Sequence, residues 1–141
     1  MISESLLIQE IFHGVFALPF AYILWKKTTS WKKGFLVIVL SYLIDLDHLL
    51  DYFSYYGLTF SLTRFLSADY FVATKRAFVL LHAWEWAGLL SIFSWKRGWK
   101  SIFTLILFAM LPHLIYDTIT VRSFEFYSII YRVGKGFTNL N

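Results

Sequence analysis

Apolar residues fall along the chain in four runs, residues 5–25, 35–53, 77–95 and 101–120, separated by polar or basic breaks. Each run is about 19–21 residues long, enough for a helix to cross roughly 30 Å of hydrocarbon at 1.5 Å per residue. The pattern predicts an all-α, polytopic membrane protein, with four transmembrane helices bundled into a single integral-membrane domain over residues 1–141. The connectors 26–34 and 96–100 are short, so the first two helices, and the last two, are expected to be antiparallel neighbours. Pro19 is expected to bend the first helix. The connector 54–76 is longer and carries Tyr55, Tyr56, Phe60, Phe65, Tyr70 and Phe71, and the tail 121–141 carries Phe124, Phe126, Tyr127 and Tyr131. That aromatic content suits a headgroup interface, and a short interfacial helix is expected in each.

Composition sharpens this reading. Hydrophobic residues make up 58% of the chain and aromatics 21%, with a mean hydropathy of +0.60; a soluble fold of this size could not cover so much apolar surface. With no cysteine present, disulfides, thiolate nucleophiles, zinc knuckles and iron–sulfur clusters are excluded. The net charge of +4 does not point to nucleic acid, because the basic residues cluster between apolar runs, where they act as topology determinants. Lys26, Lys27, Lys32, Lys33, Lys96, Arg97 and Lys100 crowd two short loops, whereas Arg64, Lys75, Arg76, Arg122, Arg132 and Lys135 are spread over longer segments. The short loops are therefore expected on the cytoplasmic side of a prokaryotic membrane, with both termini outside. The first run lacks a basic n-region and a small-residue cleavage site, and Gln9, Glu10 and His13 interrupt it, so it reads as a retained helix.

The candidate chemistry lies inside the apolar runs. All four histidines fall there, as do the acids Glu10, Asp45, Asp47, Asp51, Glu85 and Asp117. An Asp near the bilayer centre costs about 2.5–3.5 kcal/mol on insertion scales, so the Asp-Leu-Asp-His stretch ending the second run needs a compensating partner. On an ideal helix Asp47, Asp51, His48 and Asp45 lie at about 0°, 40°, 100° and 160°, all on one half of the cylinder. His13 follows Glu10 by three residues, Glu85 follows His82 by three, and Asp117 follows His113 by four, each a same-face spacing. With alternating helix directions, His13, Asp51, His82 and Asp117 come to one membrane face, roughly 3–12 Å below its surface. Too few basic residues share that level to neutralise the acids, which favours a metal over a buried ion-pair network. Four imidazoles and several carboxylates exceed the needs of one four-coordinate ion and suggest two divalent cations, zinc first, with iron or manganese as alternatives.

An early His13, then Asp45-Leu46-Asp47-His48 after the second apolar run, His82 near the start of the third, and His113-Leu114-Ile115-Tyr116-Asp117-Thr118 in the fourth form a pattern that resembles the inner-membrane metal-dependent hydrolases (YdjM-like). The resemblance covers roughly residues 10–120 and implies a hydrolase. Family members usually carry a His-Arg…Thr-His-Ser type element before the third helix; only Arg76 and His82 correspond here, and the resemblance implies Glu85 as the replacement for a missing ligand or base.

The expected reaction is hydrolysis of a phosphoester at a metal-activated water, with membrane lipid as partner and a lipid headgroup or other small molecule as substrate. The expected ligands are His13, Asp47, His48, Asp51, His82, His113 and Asp117. Glu85 is the candidate general base, with Glu10 and Asp45 orienting ligands or adding to them. Arg76, near the mouth, is the candidate for holding a phosphate oxygen; its competing reading is a snorkelling interfacial arginine. Two rival functions share these residues. A metal or proton transporter would continue the polar path to the opposite face, where this chain has apolar residues and lysines. A di-iron carboxylate oxidase would bind iron in a four-helix bundle.

Overall fold

In the computed structural model, which describes residues 6–138, the chain is all-helical, with no strand among the described residues. Ser5, the first residue of the first expected span, and the end of the tail beyond residue 138 lie outside the described residues. The elements in order are α1 (Leu6–Thr28), α2 (Trp31–Leu43), a 3-10 turn (Ile44–Asp47), α3 (His48–Tyr56), α4 (Leu62–Ser67), α5 (Asp69–Thr74), α6 (Trp84–Arg97), α7 (Ile102–Val121), a second 3-10 turn (Glu125–Tyr127) and α8 (Ile129–Gly134). Helix α7 is the centre: α1, α2 and α6 all pack on it, and α1 packs on α2. The segments Ile8–Thr28 and Ile102–Val121 are long and apolar enough to cross a membrane.

One half of the bundle is apolar. Ala17, Ala21 and Leu24 of α1 meet Val37 of α2 and Leu105 and Ala109 of α7. Small residues permit that closeness: a Cβ at Gly34 would stand 2.8 Å from the Ala21 carbonyl oxygen, and one at Gly14 would fall on the Tyr42 hydroxyl. Outward faces are also apolar, with Ile11, Val15, Leu18 and Tyr22 on α1, Phe35 on α2, and Leu89, Ile92 and Phe93 on α6 all exposed. The other half of the interior collects histidines and carboxylates. Polar residues inside and apolar residues outside invert the arrangement expected in water.

Two departures from the sequence pattern shape the polar half. The second run is not one α-helix. It tightens into a 3-10 turn over Ile44–Asp47, where i and i+3 eclipse one another, and this sets His48 Nε2 3.5 Å from Asp45 Oδ1. The third run becomes helical only at Trp84, not at residue 77. The residues before it form a non-helical strap because the second run's own carboxylates capture its backbone. Asp51 accepts from the N–H groups of Phe78 (2.7 Å) and Val79 (3.2 Å), and Asp47 from that of Leu81 (2.6 Å). Lys75 and Val79 have positive φ of 52° and 31°, a costly conformation for a β-branched valine that the Asp51 bond helps to hold. Helix α6 has 14 residues, about 21 Å of rise.

The connector 54–76 contains two short helices, α4 and α5, gathered around Tyr52. The Tyr52 ring meets those of Phe60, Phe65 and Tyr70, and its hydroxyl donates to Thr59 O and accepts from Ser61 N. The tail contains α8 and folds back onto the strap, where Ala77 N donates to Phe137 O (3.1 Å) and the Phe78 and Phe137 rings meet at 5.0 Å.

Candidate metal centre

Five segments converge on one buried cluster. Helix α1 supplies His13, the 3-10 turn Asp45 and Asp47, α3 His48, the strap His82, and α7 His113 and Asp117. Their burial is deep: His113 is 0% exposed, His13 and His82 2%, and Asp45 and Asp47 6%. Pro112 precedes His113 inside α7 and contributes no N–H to the helix ladder there.

The centre of the cluster is the pair His82 and His113, whose Nε2 atoms stand 2.8 Å apart. Asp45 Oδ1 reaches them at 3.2 and 3.5 Å, and Asp117 Oδ2 at 3.5 and 3.3 Å. Ligand atoms about 2.0–2.1 Å from a tetrahedral zinc lie about 3.3 Å from one another, so these separations are close to those of a coordination shell. Asp45 Oδ1 also faces His48 Nε2 (3.5 Å), which stands 3.9 Å from Asp47 Oδ1. One carboxylate oxygen is thus shared between two neighbouring groups of ligands.

The remaining atoms orient that core. Asp47 Oδ2 lies 3.1 Å from His82 Nδ1, the carboxylate partner that fixes ring orientation in metal-binding histidines. His13 backs both central carboxylates. Its Nε2 is 2.8 Å from Asp117 Oδ1, and its Nδ1 is 3.4 Å from Asp45 Oδ2 without hydrogen-bond geometry. Its ring stacks on that of His113 at 3.9 Å. Glu10, half-buried, joins His13 and Asp45 in a further group able to hold an ion. Buried atoms left without hydrogen-bond partners include Asp45 Oδ2, Asp47 Oδ1, and the Nδ1 atoms of His13, His48 and His113. Unpaired carboxylate oxygens in such a place are costly, and a cation is the partner that fits carboxylate and imidazole together. These residues form overlapping groups that could hold a metal ion.

Three residues singled out by the sequence are placed elsewhere. Asp51 is buried, yet its two oxygens are taken by the strap N–H groups of Phe78 and Val79. Glu85 turns away from the cluster and secures the start of α8, accepting from Ser128 Oγ (2.5 Å), Ile129 N (3.2 Å) and Ile130 N (3.3 Å). Arg76 is exposed and lines an open pocket with Ser54, Thr74 and Phe78. Conversely, Arg132, which the sequence suggests only as a topology charge, is completely buried. The available signal was its place in the apolar stretch Ile129-Ile130-Tyr131-Arg132-Val133.

Compared with family models, curated proteins and solved structures, the chain matches none.

Proposed function

We propose that this chain is a membrane-embedded, metal-dependent hydrolase acting on a phosphoester. The observation that carries the reading is the His82–His113 pair flanked by Asp45 and Asp117, buried in the polar half of a bundle whose outer face is apolar. Asp45, His82, His113 and Asp117 hold the first divalent cation, zinc by donor type. Asp47 and His48, beside Asp45, would hold a second. When bound, such ions supply Lewis acidity, lower the pKa of a nearby water to about 7 and clamp the oxygens of a transferring phosphoryl group. The protein's own part is to orient the ligands through His13 and Asp47 and to accept a proton. Glu10 is proposed for that step, because it is the half-buried carboxylate beside His13 and Asp45 that the ligand assignment leaves unused, whereas the oxygens of Glu85 are taken up by α8.

The membrane reading extends the two spanning-length helices to four crossings. The rod from α2 through α3 makes the second, and the strap with α6 makes the third as a partly re-entrant segment whose irregular backbone faces the polar site. With the lysine-rich short loops read as cytoplasmic by the positive-inside rule, the cluster in this proposal lies toward the extracytoplasmic face of a prokaryotic membrane. The resemblance to YdjM-like hydrolases rests on the residues that make up the cluster, and a lipid phosphate is the favoured substrate.

The test is metal analysis and phosphatase assay of detergent-purified protein. Zinc near one to two equivalents, and hydrolysis of a phosphomonoester or phosphatidic acid that His113→Ala abolishes, supports the proposal. Iron with a visible absorption band and no hydrolysis replaces it with an oxidase. Metal uptake into proteoliposomes that His48→Ala abolishes replaces it with a transporter.

A further inference from the structure

The polar half of the bundle also leaves buried donors without partners, and these call for an anion. Arg132 on α8 is 0% exposed, and none of its Nε, Nη1 and Nη2 atoms has a hydrogen-bond partner. It makes no ion pair among the described residues. Its guanidinium lies over the Phe126 ring, 5.8 Å from the centroid. Burial lowers its pKa, and the carboxylates of Asp47, Glu85 and Asp51 act in the opposite direction through their charge. None of these acids reaches it with a hydrogen bond: Glu85 and Asp51 are engaged elsewhere, and Asp47, bonded through Oδ2, leaves its Oδ1 facing His48 and not the guanidinium. Glu85 caps α8, Asp51 holds Phe78 and Val79, and Asp47 Oδ2 takes Leu81 N and the His82 ring. A second buried donor, the Tyr70 hydroxyl, also lacks a partner and feels the charges of Asp51 and Asp47.

Arg132 is held in position by its backbone. Glu85 caps the start of its helix, Arg132 O accepts from Phe137 N at 2.8 Å, and Phe137 O accepts from Ala77 N of the strap. A fixed, dry guanidinium with all of its donors idle costs several kcal/mol unless something fills the fork. The group that fits a planar fork is a phosphate or similar oxyanion, bound through two parallel N–H···O bonds.

We propose that Arg132 is the oxyanion-binding residue of the metal site, its guanidinium taking two oxygens of a substrate phosphate beside the cluster. The proposal rests on the hydrolase reading, in which the cations offset the repulsion between that phosphate and Asp47. It gives Arg132 the role that the sequence suggested for exposed Arg76.

The test uses full-length, zinc-loaded protein in detergent and titrates two probes, inorganic phosphate and a short-chain phosphatidic acid. Wild type, Arg132→Gln, Arg132→Lys and Arg76→Gln are compared, with zinc stoichiometry measured on the same samples. Arg132→Gln should weaken binding of the preferred probe about 30-fold with zinc content unchanged. Arg132→Lys, which keeps the charge but not the fork, should fall between Gln and wild type, and Arg76→Gln should match wild type. Tighter binding of phosphatidic acid assigns a lipid headgroup, tighter binding of phosphate a soluble ester, and either supports the proposal. Wild type that binds neither probe, or Arg132→Gln that binds as wild type with full zinc, overturns it. If Arg132→Gln does not fold, Arg132→Lys decides, and wild-type affinity in that variant overturns the bidentate role. Wild type that holds no zinc sinks the metal reading separately, and the titrations then read Arg132 on the metal-free protein.

Discussion

Asp51→Asn separates a carboxylate that binds backbone from one that binds metal. Asp51 Oδ1 and Oδ2 accept from Phe78 N at 2.7 Å and Val79 N at 3.2 Å. Hydrogen bonds to a charged acceptor contribute about 1.5–3 kcal/mol each. Asparagine keeps one acceptor oxygen and turns an NH2 toward the other N–H, so one bond is lost and two donors face each other. The net cost is about 2–3 kcal/mol. For a 141-residue chain the unfolding entropy is about 0.3 kcal/mol per kelvin, so the midpoint should drop by roughly 7–10 °C. Thermal unfolding in detergent measures this drop, and hydrogen exchange should show faster exchange at the Phe78 and Val79 amides. Metal content should stay at the wild-type value, because both Asp51 oxygens are taken by strap N–H groups. Loss of zinc with unchanged exchange in the strap would refute the assignment and return Asp51 to the ligand set.

His113→Ala should lose metal and stability together, since it removes one member of the central pair and strips Asp45 and Asp117 of a shared neighbour; elemental analysis and thermal unfolding report both. Glu85→Gln should leave zinc unchanged but loosen α8, costing about 1–2 kcal/mol through weakened capping bonds, and limited proteolysis of residues 128–138 should become faster. Gly34→Leu should separate α1 from α2 and cost about 1–3 kcal/mol by overpacking against the Ala21 carbonyl, read as a lower unfolding midpoint with the metal site still able to bind. Acidification below about pH 6 should release zinc, because protons compete with the ion for imidazole nitrogen; dialysis at stepped pH against a zinc indicator follows the release.

The convergence of His13, Asp45, Asp47, His48, His82, His113 and Asp117 was legible because each is a polar residue where an apolar pattern leaves no other use for it. Helical spacing and run direction were enough to expect them together, although the structure carries His82 on the strap and Asp45 and Asp47 in the 3-10 turn. Asp51 and Glu85 carried the same signal, but Asp51 is taken by backbone N–H groups and Glu85 by Ser128 Oγ and two N–H groups of the tail, long-range partners that no local side-chain pattern records. The strap illustrates the cause. Residues 77–83 are apolar enough to continue a helix, and local preference yields there because Asp47 and Asp51, about thirty positions earlier in the chain, bind the N–H groups directly. Arg132 was misread for a related reason: a basic residue in a tail counts toward topology until the folding of that tail onto the strap removes it from solvent.

The strap's attachment bears on how much its sequence can change. Main-chain hydrogen bonds do not distinguish one side chain from another, so the grip of Asp51 and Asp47 on positions 78 and 81 is indifferent to the residues there. Proline is the exception, because it has no N–H to give. The backbone hold beside His82 is therefore encoded by two aspartates in the 3-10 turn and α3, and the strap's side chains answer only to their own packing, as Phe78 does to Phe137.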